Sequence, residues 1–218
     1  MNLNFLFPVI SATMLLSVTT ACTPPPQNQV SSENSLIIED KTLVAVNQSA
    51  KERPINKTAT ISVEGEKTTV NLKLYSYKNL FSTYFPERDF LVETATSTQP
   101  KGVKLISNFG GVKNENAYIQ FAFPNNFKTI GEVRKFINGK NGILASNRWK
   151  FVSRTSTVTY PWAKEKIAFS KGKDMIGDIY IGEQNGKVFY VITHLPVEYG
   201  DGFAPRENLI LSNLEIGG

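Results

Sequence analysis

Cysteine is almost missing from this chain of 218 residues: it occurs once, at Cys22. A single thiol closes no intramolecular disulfide, so any fold here rests on its own core. Histidine also occurs once, at His194. Zinc sites normally recruit several Cys and His, and no carboxylate cluster has the spacing of a calcium loop. Glycine patterns for phosphate or dinucleotide binding are absent. No cofactor and no metal are therefore expected. Blocks of like charge are missing too. The basic residues, Lys101, Lys104, Lys113, Lys128, Lys150, Lys171 and Lys173 among them, are scattered along the sequence, and no nucleic-acid motif is present. No apolar run reaches the roughly 20 residues of a comfortable membrane span.

What the chain does have is an uncharged, apolar start. Leu3 through Val18 is apolar apart from a few interruptions such as Pro8, and the first charged side chain is Glu33. The run Leu15-Leu16-Ser17-Val18-Thr19-Thr20-Ala21 leads directly into Cys22. An apolar core followed by small residues is the pattern of a cleaved signal peptide. With Cys next, the segment resembles the lipobox of bacterial lipoprotein precursors. That resemblance implies that Cys22 receives a diacylglycerol, that residues 1–21 are removed, and that the new amino group is acylated. Met1-Asn2-Leu3-Asn4 carries no Lys or Arg, and Thr19 stands where the lipobox prefers Leu. An ordinary signal peptide with an incidental Cys is the competing reading. One acyl chain holds a protein only marginally, at about 0.8 kcal/mol per buried CH₂, whereas two or three on Cys22 would hold it durably. The expected location is the extracytoplasmic face of a membrane, periplasmic or thylakoid-lumenal.

Residues 22–57 read as a tether. Thr23-Pro24-Pro25-Pro26-Gln27 through Ser35 offers little to bury, and Gln48 to Lys57 is polar again. Two apolar patches interrupt it, Leu36-Ile37-Ile38 and Leu43-Val44-Ala45-Val46. A flexible chain of about 35 residues has an end-to-end distance on the order of 30 Å. Residues 58–218 then form one domain, large enough for a single core. The net charge of +5 is carried by the part after Cys22 and favours anionic surfaces.

Within that domain the apolar spacing predicts many strands and two helices. Ile61 and Val63, then Val70, Leu72 and Leu74, alternate with polar residues on either side of Gly65, as in a hairpin. Phe81 to Phe85 makes the next strand, ended by Pro86; Phe90 to Thr96, Val103 to Phe109 and Ala117 to Phe123 follow. Thr129-Ile130-Gly131-Glu132 has capping-box spacing ahead of a helix that Gly139 and Gly142 would end. Trp149 to Val152 and Lys164 to Phe169 read as strands. Ile176 to Ile181 and Lys187 to Thr193 flank Asn185-Gly186, the strongest hairpin signal in the chain. Pro205 is expected to open the last helix at its first turn, with Leu209, Ile210 and Leu214 inward. The fold class is α+β: one antiparallel β-sheet flanked by helices.

Three places could carry chemistry or contacts. His194 would need a nucleophile and an orienting acid to serve a hydrolase, and its position at the end of an apolar strand favours a structural role. Asp201 and Arg206, in Gly200-Asp201-Gly202-Phe203-Ala204-Pro205-Arg206, sit where an anion or a partner could meet a helix start, although turn-shaping glycines and a helix cap by Asp201 or a neighbour explain the same residues. Tyr160 and Trp162 flank Pro161 and suit either a core edge or a binding hot spot.

The strand ending Tyr84-Phe85-Pro86, the apolar strand ending Phe123-Pro124, the helix opened by Thr129, the Asn185-Gly186 hairpin and the final helix over Leu209 to Leu214 together resemble the PsbP-like superfamily, over about residues 68–216. The segment from His194-Leu195-Pro196 to Arg206 is similar to one in cyanobacterial lipoproteins. The resemblance implies an α-β-α sandwich without enzymatic activity, docking on or helping to assemble a membrane protein complex, including a photosynthetic one. It transfers no functional residue. A periplasmic ligand binder or envelope carrier is the alternative, and a hydrolase using His194 stands behind both.

Overall fold

The computed structural model describes residues 53–94 and 101–217. Cys22, the expected signal peptide and most of the expected tether lie outside the described residues. The first strand, β1, spans Asn56–Val63. It therefore starts two residues ahead of the expected domain boundary at Thr58. Ahead of it, Arg53 donates to Ser82 Oγ at 2.7 Å and to the Asn213 carbonyl at 2.8 Å.

Strand β1 turns through Glu64 and Gly65, both at positive φ, into β2 (Glu66–Tyr77), which pairs with β3 (Phe81–Pro86). A tight turn at Pro86 to Asp89 passes the chain to a second sheet. That sheet takes β4 (Phe90–Thr94), β5 (Lys101–Ser107) and β6 (Asn114–Phe123). Helix α1 (Ile130–Asn138) follows, then a single-turn helix, α2 (Ile143–Ser146). Strands β7 (Lys150–Thr155), β8 (Ala163–Lys171), β9 (Met175–Gln184) and β10 (Lys187–Pro196) complete the sheet, in the order β4-β5-β6-β10-β9-β8-β7. Helix α3 (Gly200–Ser212) and the two-residue β11 (Glu215–Ile216) close the chain, and β11 pairs with β3. Every strand pairing is antiparallel.

The expectation of one sheet with helices on both faces is corrected here. Four strands, in the order β1-β2-β3-β11, form a separate sheet. With α3 it covers one face of the seven-stranded sheet, while α1 and α2 cover the other. Phe81 of the smaller sheet stacks on Phe121 of the larger at 4.6 Å, in the core between them. The second core lies under the two short helices, with Val133, Ile137, Ile143 and Leu144 against Ile167, Ile179 and Ile192. Alternation along a strand tells which residues face inward, not which sheet the strand joins. The fold is thus more β-rich than the α-β-α arrangement.

Local signals act as their chemistry requires. Glu132 N donates to Thr129 Oγ1 at 3.2 Å and Thr129 N donates back to Glu132 Oε2 at 3.1 Å, closing the capping box of α1. Asn185 and Gly186 take φ of 52° and 69°, the left-handed pair that a type I′ turn needs. The start of α3 departs from expectation. It begins at Gly200, directly after a 3₁₀ turn over Val197–Tyr199, so Pro205 lies inside the helix. Aromatic packing outweighs the poor helix propensity of that turn: Phe203 is fully buried, 6.0 Å from Phe90, and Tyr199 stacks on Phe109 at 5.8 Å. Arg206 Nη1 donates to the Gly202 carbonyl at 2.7 Å within the same turn.

Candidate functional site

The structure gives each residue singled out above a definite place. Arg206 is engaged inside the domain. Its Nε donates to Asp89 Oδ2 at 2.6 Å, tying α3 to the link between the two sheets, and its guanidinium lies 4.6 Å from the centre of the Phe109 ring. Asp201 is exposed in the first turn of α3, and the N-cap position belongs to Tyr199, which makes no side-chain cap, so the expected Asp201 cap is not formed. Tyr160 and Trp162 are 7% and 4% exposed and stack nearly parallel at 5.4 Å. Trp162 Nε1 donates to the Leu211 carbonyl at 3.0 Å. It belongs to a set of side chains that satisfy the last carbonyls of α3: Thr83 donates to Ile210 O and Asn213 Nδ2 to Leu209 O. The ring pair holds the helix on the sheet.

His194 lies in a row that crosses the whole seven-stranded sheet: Leu91, Ile106, Tyr118, His194, Gly177, Phe169 and Phe151 are successive register partners. Gly177 leaves the space over which the Phe169 ring leans. A Cβ there would sit 2.3 Å from Phe169 Cζ and 2.1 Å from the Thr193 carbonyl. Tyr118 stacks on the imidazole at 5.1 Å and Trp149 at 5.4 Å, while Lys104 Nζ caps Tyr118 4.1 Å from its ring centre. Nδ1 lies 2.7 Å from the Asn116 carbonyl, which can only accept, so Nδ1 carries the proton. Burial, then the charges of Lys171 and Lys104, push its pKa below 6.5 against that hydrogen bond. The ring is therefore a neutral, packed member of the core.

The groups best suited to exchanging a proton were not singled out from the sequence. Beneath α3, the Tyr180 hydroxyl donates to Glu207 Oε1 at 3.3 Å and lies 3.5 Å from Asp178 Oδ2. Lys166 Nζ sits 3.3 Å from the same Asp178 oxygen, and Asp178 N donates to Thr193 Oγ1 at 3.3 Å. The Tyr160 ring meets that of Tyr180 edge-on at 5.4 Å. Burial, and next the Asp178 charge, push the Glu207 carboxyl up to about 7. Burial also raises both tyrosines. The Glu207 carboxyl of α3 can therefore hold a proton near neutral pH. The one sequence signal was Asp178, a charge set in the apolar strand Met175-Ile176-Gly177-Asp178-Ile179-Tyr180-Ile181.

Surface grooves are open, with mixed polar and apolar walls. One of them, about 700 Å³, runs along β1 and β2 and the turn after β3, and it carries Lys57, Lys73, Glu87, Arg88 and Asp89. Lys73 and Glu87 pair with each other there. Among the described residues no three His, Cys, Asp or Glu side chains come together as a metal site, and no helix is long and apolar enough to cross a membrane.

No protein-family model matches this chain, and no curated protein matches it. Among solved structures, it is similar to the solution structure of cyanobacterial PsbP (CyanoP) from Synechocystis sp. PCC 6803. The TM-score is 0.46 and the identity 9%, over 66% of this chain and 92% of that one. At that identity and score no residue role, partner or activity passes from one to the other.

Proposed function

We propose that this protein is a non-catalytic lipoprotein of an extracytoplasmic membrane face, held by lipid on Cys22, whose β-rich domain docks on a membrane protein complex and helps assemble or stabilise it. The observation that carries this reading is the uncharged apolar run that ends in small residues and the chain's one cysteine. The packing of the single imidazole against Tyr118, Trp149 and the Asn116 carbonyl agrees with a binding role, since a hydrolase would need that ring beside a nucleophile. The test is fractionation with and without the thiol. The native chain is expected in the membrane pellet and the Cys22→Ser chain in the soluble fraction. Cross-linking in intact membranes should join the native chain to a membrane protein. A native chain that is soluble, or one cross-linked to nothing, would end the proposal.

A further inference from the structure

Charge that is scattered in sequence is gathered in space. Between residues 128 and 173 the chain has eleven Lys and Arg and only two acids, Glu132 and Glu165. Glu132 is taken up by the capping box of α1. Glu165 is buried under Arg134, whose Nη2 lies 2.6 Å away, with Arg154 at 3.8 Å. Four of the other cations, Arg148, Lys150, Lys171 and Lys173, converge on one corner of the seven-stranded sheet. Lys150 begins the edge strand β7 and pairs with Ser170 of β8, next to Lys171. Lys173 lies across Gly172 in the β8–β9 turn, and Arg148 precedes β7 by two positions. All four are exposed, and among the described residues none of them makes an ion pair.

The same corner exposes apolar side chains. Phe151 is 48% exposed, Val152 58%, Ile176 41% and Val197 48%. These are four of the seven large hydrophobic residues that are exposed among the described residues. Register sets them on both faces of the same sheet edge: Lys150, Ser170, Ile176 and Leu195 form one row, Phe151 lies in the next row and so on the other face, which Lys171, two residues along β8 from its partner Phe169, shares, and Val197 N donates to the Asp174 carbonyl at 2.8 Å. Asp174 and Glu198 are the acids of the corner, two against four cations.

Lysine and a bulge are ordinary protection for an edge strand, and β7 has both, with the register shift between Phe151 and Ser153. Exposed Phe and Val are the reverse of protection. The bulge also works against an added strand, so the corner suits a surface better than an extended peptide. Apolar tips ringed by Lys and Arg match an anionic bilayer, where the tips enter the headgroup boundary and the cations meet lipid charge.

We propose that this corner, formed by Arg148, Lys150, Phe151, Val152, Lys171 and Lys173, is a membrane-contact site for anionic lipid headgroups, acting beside the lipid on Cys22 and independently of it. It would fix the orientation of the domain on the bilayer, which a tether alone cannot do.

The experiment uses the full chain carrying Cys22→Ser, so that its outcome does not depend on lipidation. Partition is measured onto vesicles of phosphatidylglycerol with phosphatidylcholine, and onto phosphatidylcholine alone. Comparing variants in that one background cancels any contribution of residues 3–18. Lys150→Gln/Lys171→Gln/Lys173→Gln should weaken partition onto the anionic vesicles by about fivefold per charge, roughly a hundredfold in all, and high salt should do the same. Phe151→Ser/Val152→Ser should also weaken it severalfold. Lys67→Gln/Lys78→Gln, which changes exposed lysines of the smaller sheet's hairpins, should leave it unchanged. Circular dichroism checks that each variant is folded. Equal partition of the triple variant and its parent would overturn the proposal. So would loss of binding to an acidic protein with vesicle binding intact, since it would assign the corner to a protein partner.

Discussion

Glu207 of α3 and Asp178 of β9 both approach one hydroxyl, that of Tyr180, at 3.3 and 3.5 Å. Two carboxylates that share a partner beneath a helix cannot both be charged without cost, and Lys166 reaches only Asp178. The seating of α3, which Arg206, Trp162 and Thr83 also hold, is thereby tied to the protonation of Glu207.

The consequence for stability has a definite sign. Glu207 ordinarily titrates at 4.5 and is pushed up to about 7 in the folded protein. Below the lower value both folded and unfolded chains hold the proton, and above the higher value both have lost it. Between them only the folded chain keeps it, so this group makes stability fall as pH rises, by on the order of 2–3 kcal/mol across the window. Glu207→Gln should gain stability over the native chain at about pH 8 and lose that advantage near pH 4.5. Urea unfolding at several pH values measures it, and parallel curves for the two chains would contradict the assignment.

His194 acts in the opposite direction. Its folded pKa lies below 6.5 because burial penalises the charged ring. Its contribution to stability is full above 6.5 and is lost as pH falls toward the folded value. The imidazole carbon-bound proton should titrate below 6.5 by NMR, and His194→Gln should abolish that slope. A titration at or above 6.5 would mean an accessible ring.

Trp162→Phe keeps a ring on Tyr160 but removes the indole donor to the Leu211 carbonyl, which then keeps only backbone donors such as Leu214 N at 3.3 Å. The expected loss is about 0.5–1.5 kcal/mol of unfolding free energy, the net worth of one hydrogen bond. Trp162→Phe should also loosen the end of α3, read as faster amide exchange at Leu211 to Leu214. Unchanged exchange would show that the ring stack alone holds the helix.

The Arg206–Asp89 pair, with side chains 17% and 19% exposed, should couple α3 to the link between the sheets. A double-mutant cycle with Arg206→Gln and Asp89→Asn is expected to return about 1–2 kcal/mol of interaction energy. A coupling near zero would mean that Arg206 acts only through Gly202 and Phe109.

What was legible in the sequence was local. Asn185-Gly186 and Gly65 announce hairpins because positive φ suits few residues, and Thr129 with Glu132 announces a helix because each caps the other's backbone. What was not legible depended on distant partners. Nothing in Ile61 or Leu72 says that β1 and β2 join a separate sheet. Helix α2 is a single turn and β11 only two residues, too short for periodicity to register. The start of α3 at Gly200 depends on Phe203 finding Phe90 and Phe109. Neither the Asp178–Glu207 pair nor the basic corner is a motif, because each is assembled by register and packing from separate elements.

The central claim is that lipid on Cys22 holds this protein at a membrane. Intact-mass spectrometry of the protein extracted from membranes tests it most directly. The account predicts a chain that begins at Cys22, without residues 1–21, with the added mass of a diacylglyceryl group and usually a further acyl chain. A chain that retains Met1, or one that starts near Cys22 with a free thiol, would contradict it.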